Sequence, residues 1–314
     1  MSELEILNKE NFASIAKDMG MLADVSTGKK SNLARLKLDH KGVEGTTEIK
    51  GKSKTVLVVD PGMYCLDLAD GSKVYDESPT IRLYNQRFCY KKYVQADNTY
   101  VKTIMELNLK KDLPDTDGGY NCGKPAGWVE DYDSLDQATK DLMKSIKRVR
   151  VFFGVVTFNN PVNAKGEDVD KVEVPFIWEI DNREAFKHMG LPIKTMATMG
   201  HILPQHNLSL GSEEKVISNT IRYFVPTYQF NEKVLDLTKA DQDVFNNFND
   251  WIIDYNSWVS KTHNDNRKEA DGNSPEVIEA PKDSAPKPTV RSNKKVVEKS
   301  KPSLETVVDE FFDD

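Results

Sequence analysis

The sequence predicts an α+β protein, a strand-rich antiparallel core interrupted by helical insertions and followed by a C-terminal helix. Two observations carry this. Apolar and polar residues alternate along Ile81–Tyr93, Arg148–Phe158, Val172–Ile180 and Thr220–Phe230, the period-two pattern of strands with one face buried. Over 239–260 the period changes, and Phe245, Phe248, Ile252, Tyr255 and Val259 recur at three- and four-residue spacing, which gathers them on one helix face.

Taken in order, residues 9–19 read as a short amphipathic helix. Phe12, Ile15, Ala16 and Met19 share a face, Asn8 is the N-cap and Gly20 the stop. From Thr47 to Asn108 the chain is β-like: Thr55–Asp60 is apolar and β-branched, Asp70-Gly71 supplies a hairpin turn, and Tyr100–Leu107 alternates. Lys110–Tyr132 is an irregular insertion rich in Asp, Gly and Pro, with helices expected over Leu135–Ile146 and Asn182–His188. The helix over 239–260 opens on a variant capping box, Thr238 with Asp241, and Trp251 and Trp258 widen its seam. Residues 264–302 hold five prolines and no aromatic residue, too little apolar surface to offset the entropy of ordering.

The expected organisation is an N-terminal helical arm (1–28), a β-rich core (29–233) with an insertion at 110–146, and a C-terminal amphipathic helix (234–263) packed on the core. A disordered linker (264–302) and an acidic tail (303–314) follow.

The net charge is −7 over 314 residues, but its distribution says more than its sum. Lys29–Lys54 carries eight Lys/Arg against three acids, Arg82–Lys102 five against one, and Lys144–Arg150 four cations and no acid. No apolar run approaches the ~18 residues of a membrane-spanning helix. The N-terminus lacks the pattern of a signal peptide. Three cysteines without CxxC spacing argue for a reducing, cytoplasmic setting (the host cytoplasm if the protein is viral) and against a zinc site.

Three catalytic signals fail on inspection. Gly118 to Lys124 has P-loop spacing, but Pro125 stands where the magnesium-binding Ser/Thr belongs, and no apolar strand precedes it. Asp115-Thr-Asp117-Gly118 echoes a calcium loop, with Leu113 and Lys124 at ligand positions. His201 and His206 lie five apart, which is no standard ligand spacing. An enzyme is the least expected class, and neither cofactor nor metal is implied.

The strands point to binding. On Arg148–Phe158, alternation gives Val149, Val151, Phe153 and Val155 to a core face. The other face presents Arg148, Arg150, Phe152 and Gly154. On Ile81–Tyr93 the even positions align Arg82, Tyr84, Gln86, Phe88, Tyr90 and Lys92, flanked by Arg87, Lys91 and Tyr93. Cations interleaved with rings suit single-stranded nucleic acid, because bases stack on rings while Lys and Arg neutralise phosphates. Gly154 would let a nucleic-acid strand approach closely. The expected binding residues are these cations and rings (without Gln86 and Gly154) together with Lys29, Lys30, Arg35 and Lys37 from the first basic stripe. Phe186, Tyr223, Phe224 and Tyr228 are assigned to the core.

The terminal peptide carries five acids and no cation, and Leu304, Val307, Val308, Phe311 and Phe312 lie among them. Adjacent phenylalanines at a free end call for a partner. The preceding 282–301, with seven cations and two acids, would let the tip fold back on a cationic groove.

With this architecture and its terminal Asp309-Glu310-Phe311-Phe312-Asp313-Asp314, the chain resembles the single-stranded DNA-binding proteins that bacteriophages encode for their own replication. The resemblance implies an antiparallel OB-like β-barrel and binding of single-stranded DNA without sequence preference. It also implies recruitment of phage replication proteins (polymerase, helicase-primase or recombination factors) through Asp309, Glu310, Phe311, Phe312, Asp313 and Asp314. The tail here ends in Asp-Asp where that family has Phe. A monomer and a homodimer are both compatible with the sequence. The alternative is a non-enzymatic interaction protein, either an adaptor whose tail docks on a clamp or polymerase, or a phage structural or assembly protein.

Overall fold

The computed structural model describes residues 33–49, 52–125, 131–218, 221–231 and 233–272. The expected helix over 9–19, Lys29, Lys30, the chain beyond 272 and the tail residues 309–314 lie outside the described residues.

The strands are β1 (Ala34–Leu38), β2 (Val43–Ile49), β3 (Lys52–Val59), β4 (Tyr64–Asp67), β5 (Lys73–Asp76) and β6 (Thr80–Val94). They continue with β7 (Thr99–Lys102), β8 (Ile146–Phe158), β9 (Val162–Asn163), β10 (Val172–Ile180), β11 (Asn207–Ser218) and β12 (Ile221–Phe230). The helices among the described residues are α1 (Gln137–Ser145), α2 (Arg183–His188), α3 (Leu191–Thr198) and α4 (Lys239–Gly272). None is long and apolar enough to cross a membrane.

One ten-stranded sheet dominates, in the order β12-β11-β6-β8-β10-β1-β4-β5-β9, with β7 paired to β6, while β2 and β3 form a separate two-stranded ribbon. Among the described residues only β1 with β10 is parallel. The α+β expectation is met. The path is nevertheless open among the described residues, so strand pairing does not close the expected barrel. Side chains join β4 and the turns beside it to the β11–β12 ribbon instead. Tyr64 Oη donates to the Gly211 carbonyl (2.8 Å), Ser212 Oγ donates to the Gly62 carbonyl (2.7 Å), and the Phe224 amide donates to His40 Nδ1 (3.1 Å).

β8 is buried on both faces, as a central apolar strand demands. Val149, Val151 and Phe153 pack under α4 against Phe248 and Ile252. On the opposite face Phe152, Val156 and Phe158 join Tyr64, Leu66, Leu208 and Met189. The expectation that this second face is open is corrected: Phe152 is fully buried and Arg150 is 4% exposed. The reason lies in α2, α3 and the turn between them, whose Ala185, Met196 and Met189 cover it.

β6 contains a bulge between Leu83 and Asn85: Leu83 pairs with Gly154, and Asn85 with Phe153. The extra residue reverses the phase of the alternation. Arg82 and Tyr84 therefore face α4, while Gln86, Phe88, Tyr90 and Lys92 face the other way, opposite Phe152, Arg150, Arg148 and Ile146. Gly154 leaves no room for a nucleic-acid strand. A Cβ there would lie 2.4 Å from the Arg82 carbonyl oxygen and 2.9 Å from the Phe176 ring, so this glycine admits the neighbouring backbone of β6.

The capping box forms as expected. The Thr238 amide donates to Asp241 Oδ2 (2.8 Å), and Thr238 Oγ1 accepts the Asp241 amide (3.3 Å). α4 outruns its apolar stripe, because its last turns make polar contacts. His263 Nδ1 donates to the Asp115 carbonyl (3.2 Å) and Asn266 Nδ2 to the Thr116 carbonyl (2.7 Å). The helix thus continues to 272 to hold the insertion loop, past the point where the linker was expected to begin.

Candidate nucleic-acid interface

The turn after β6 folds Lys91-Lys92-Tyr93 back onto Tyr100-Val101-Lys102, with Asn98 in the left-handed region (φ 50°). Lys91 pairs with Lys102 and Tyr93 with Tyr100, so all four side chains share one face. The two rings are 5.1 Å apart, tilted by 55°, and about half exposed (47% and 52%). Tyr93 Oη donates to Asn98 Oδ1 (2.6 Å), and Lys91 Nζ lies 4.9 Å from the Tyr100 centroid.

Beneath the rings, Glu179 takes both lysines, Lys91 and Lys102 each at 3.2 Å, and Asp181 reaches Lys91 at 3.6 Å. Burial works against the charge on Lys91, but Glu179 and Asp181 outweigh it and hold its pKa above the ordinary lysine value. Burial likewise opposes ionisation of Glu179, and Lys102 and Lys91 outweigh it, keeping that carboxyl below its ordinary value. Lys147 pairs with Lys91 across the ladder, is exposed, and adds to this face a cation with no ion pair among the described residues.

On the other face at the same end of the sheet, a ladder of cations and rings runs from Lys124 to Arg150. Lys124 Nζ stands 5.1 Å from the Tyr90 ring, and Arg148 stands 5.6 Å from Phe186. Arg150 lies 4.6 Å from Phe186 and 5.0 Å from Phe88. Arg150 donates to the Phe186 carbonyl (3.0 Å) and to Gln86 Oε1 (2.6 Å). Among the described residues its guanidinium has no carboxylate partner, and burial lowers its pKa to about 10.

The expected binding residues thus divide. Lys91 and Tyr93 stand on the exposed platform. Phe88, Tyr90, Lys92, Arg148, Arg150 and Phe152 share the opposite face, but Phe88, Tyr90, Arg150 and Phe152 are buried there, so packing replaces base stacking. Tyr84 is also buried: its hydroxyl donates to Asp241 Oδ1 (2.5 Å), which Arg82 Nη1 contacts at 2.8 Å. Arg87 faces α4 and donates to the Gln86 carbonyl (2.8 Å). Arg35 and Lys37 are exposed on β1, two strands beyond β8, and Lys37 is paired with Asp67. Tyr100, Lys102, Lys124 and Lys147 were not expected. For Tyr100 and Lys102 the signal was the mirrored Lys-x-Tyr and Tyr-x-Lys across the polar turn at 95–98, readable only once the strands are folded together, whereas Lys124 and Lys147 had no such signal.

The glycine loop shows where its amides go. Asp115, 1% exposed, accepts the backbone N–H of Asp117 (3.0 Å), Gly119 (2.9 Å) and Cys122 (2.8 Å). The cradle that could hold a phosphate is filled by the protein's own carboxylate. His206 Nδ1 donates to the Asn231 carbonyl (2.8 Å), so its Nε2 accepts from His201 Nδ1 (2.8 Å), and the lone pair a metal would use is occupied. No cluster of three or more His, Cys, Asp or Glu able to hold a metal occurs among the described residues. Comparison with protein-family models, curated proteins and solved structures returns no match.

Proposed function

We propose that the protein binds single-stranded DNA without sequence preference, in the manner of the phage replication proteins it resembles, and that its acidic tail recruits replication partners. One observation carries the binding reading: the half-exposed Tyr93–Tyr100 pair, with Lys91 against one ring and Lys102 and Lys147 beside it. Rings open to solvent stack on any base, and the exposed Lys147 beside them supplies charge for a phosphate, so this chemistry is indifferent to sequence. The antiparallel sheet, with the side-chain seam between β4 and the β11–β12 ribbon, is the part of the fold that an OB-like description rests on.

The test is a titration with oligo-dT at several salt concentrations, following intrinsic fluorescence. Binding that weakens linearly on a log–log plot with salt supports the reading. No binding at low salt sinks it.

A further inference from the structure

α2 faces two ways. Phe186 turns to the sheet, where it packs 5.8 Å from Phe88 and close to both arginines of the ladder. Arg183 and Lys187, one turn apart, instead line an open cleft of about 560 Å³ with His40, Glu184, Ile217 and Tyr223. Both cations are exposed, and among the described residues neither makes an ion pair. The carboxylate in the cleft, Glu184, accepts the Tyr223 hydroxyl at 2.9 Å. That bond raises the phenol's pKa and keeps it protonated.

The rest of the lining is Asn182, whose Oδ1 is taken by the Glu184 and Ala185 amides, with His40 and Ile217. His40 Nδ1 accepts the Phe224 amide, so the neutral ring carries its proton on Nε2 as a donor. Ile217, 70% exposed on the β11–β12 ribbon, forms an apolar wall. Rings, an apolar wall and unpaired cations together match a nucleotide, whose base needs a flat or apolar surface and whose phosphate needs charge. An acidic peptide without aromatic residues would use the cations and leave the rings idle, so the competitor to separate is the chain's own acidic tail, which carries Phe311 and Phe312.

We propose that this cleft is a second contact site for the same nucleic-acid strand, taking nucleotides beyond the Tyr93–Tyr100 platform. The proposal rests on the single-stranded DNA reading and extends it. The two sites are linked through the chain: Lys91, against Tyr100, pairs with Asp181, which lies two residues before Arg183. To reach Arg183, Lys187 and Tyr223 from the platform, the strand would round the end of β10 at Asp181, because α2 packs on the opposite face of the sheet.

The experiment compares oligo-dT of about 6 and about 20 nucleotides on wild type, on Arg183→Gln/Lys187→Gln and on Tyr93→Ala/Tyr100→Ala, across salt. The cleft variant should bind the short oligonucleotide as wild type does and lose part of the gain on the long one. Its salt slope for the long one should fall by about 1.4, two phosphate contacts at about 0.7 each. The platform variant should weaken both lengths. A cleft variant unchanged on the long oligonucleotide overturns the cleft and leaves the platform standing. Wild type that binds neither length removes the function and the cleft with it. If a peptide of residues 303–314 binds wild type but not the cleft variant, and the DNA slope is unaltered, the site belongs to an acidic peptide and the proposal fails.

Discussion

Tyr84 donates its hydroxyl to Asp241 Oδ1 at 2.5 Å, pinning the first turn of α4 to the bulge of β6. Arg82 holds the same oxygen, and the Thr238 amide and hydroxyl hold the other. Burial opposes ionisation of Asp241, yet the bonds from Tyr84 and Thr238, with Arg82, outweigh it and lower its pKa to about 2. Burial, and then the bond to Asp241, raise the Tyr84 phenol to about 12.

Asp241→Asn should destabilise the fold by about 2–3 kcal/mol, because a charged acceptor of several buried donors is lost. The depressed pKa also fixes the pH window. The stabilisation is complete above the ordinary carboxyl value of 3.8 and is lost as pH falls toward about 2. Denaturant unfolding of both proteins between pH 7 and 2 checks this, and the two stability curves should converge at the acid end.

Tyr93→Ala and Tyr100→Ala should each weaken oligo-dT binding by about 1–3 kcal/mol with little change in thermal stability, since both rings are exposed. Phenylalanine at either position should retain most of the affinity. Equal affinity in the alanine variants would remove the platform from the interface.

Glu179→Gln should tighten DNA binding while lowering stability. Glu179 neutralises Lys91 and Lys102 together. Freeing them adds positive charge below the rings and steepens the salt slope by about 0.7 per phosphate newly contacted. Salt-dependent titration reads the slope, and a slope no steeper than wild type argues against a nucleic-acid role for these lysines.

Gly154→Ala should cost about 1–3 kcal/mol through overpacking, because the added methyl meets the Arg82 carbonyl and the Phe176 ring. Oligo-dT affinity of the folded fraction should not change. A selective loss of DNA binding would restore this glycine to the interface.

Deleting residues 303–314 should strengthen oligo-dT binding and abolish capture of replication partners. Pull-down with and without the tail, beside the titration, separates the two effects.

Much of the local structure was legible before folding. Thr238 and Asp241 cap α4 as their spacing implies, and Val149, Val151 and Phe153 form a core face as their alternation implies. The cap rests on bonds between near neighbours in sequence, and the core face is read from the alternation within a single strand. Arg150 and Phe152 were not legible in the same way. Their face is closed by Ala185, Met189 and Met196, more than thirty residues further along the chain, and nothing in the period of β8 reports that cover. The bulge at Leu83–Asn85 was hidden for a related reason. An inserted residue appears only against a partner strand, and it divided one apparent row of rings between two faces.

The sequence by itself determined the α+β class, the main strands, the principal helix and its cap, and the placement of cations beside aromatic residues. These follow from periodicity and short-range hydrogen bonding. Only the tertiary structure decided which of those rings meet solvent. Exposure depends on what packs over a strand from elsewhere in the chain. Here α2 and α3 cover Phe88 and Phe152, while the β6–β7 hairpin leaves Tyr93 and Tyr100 open.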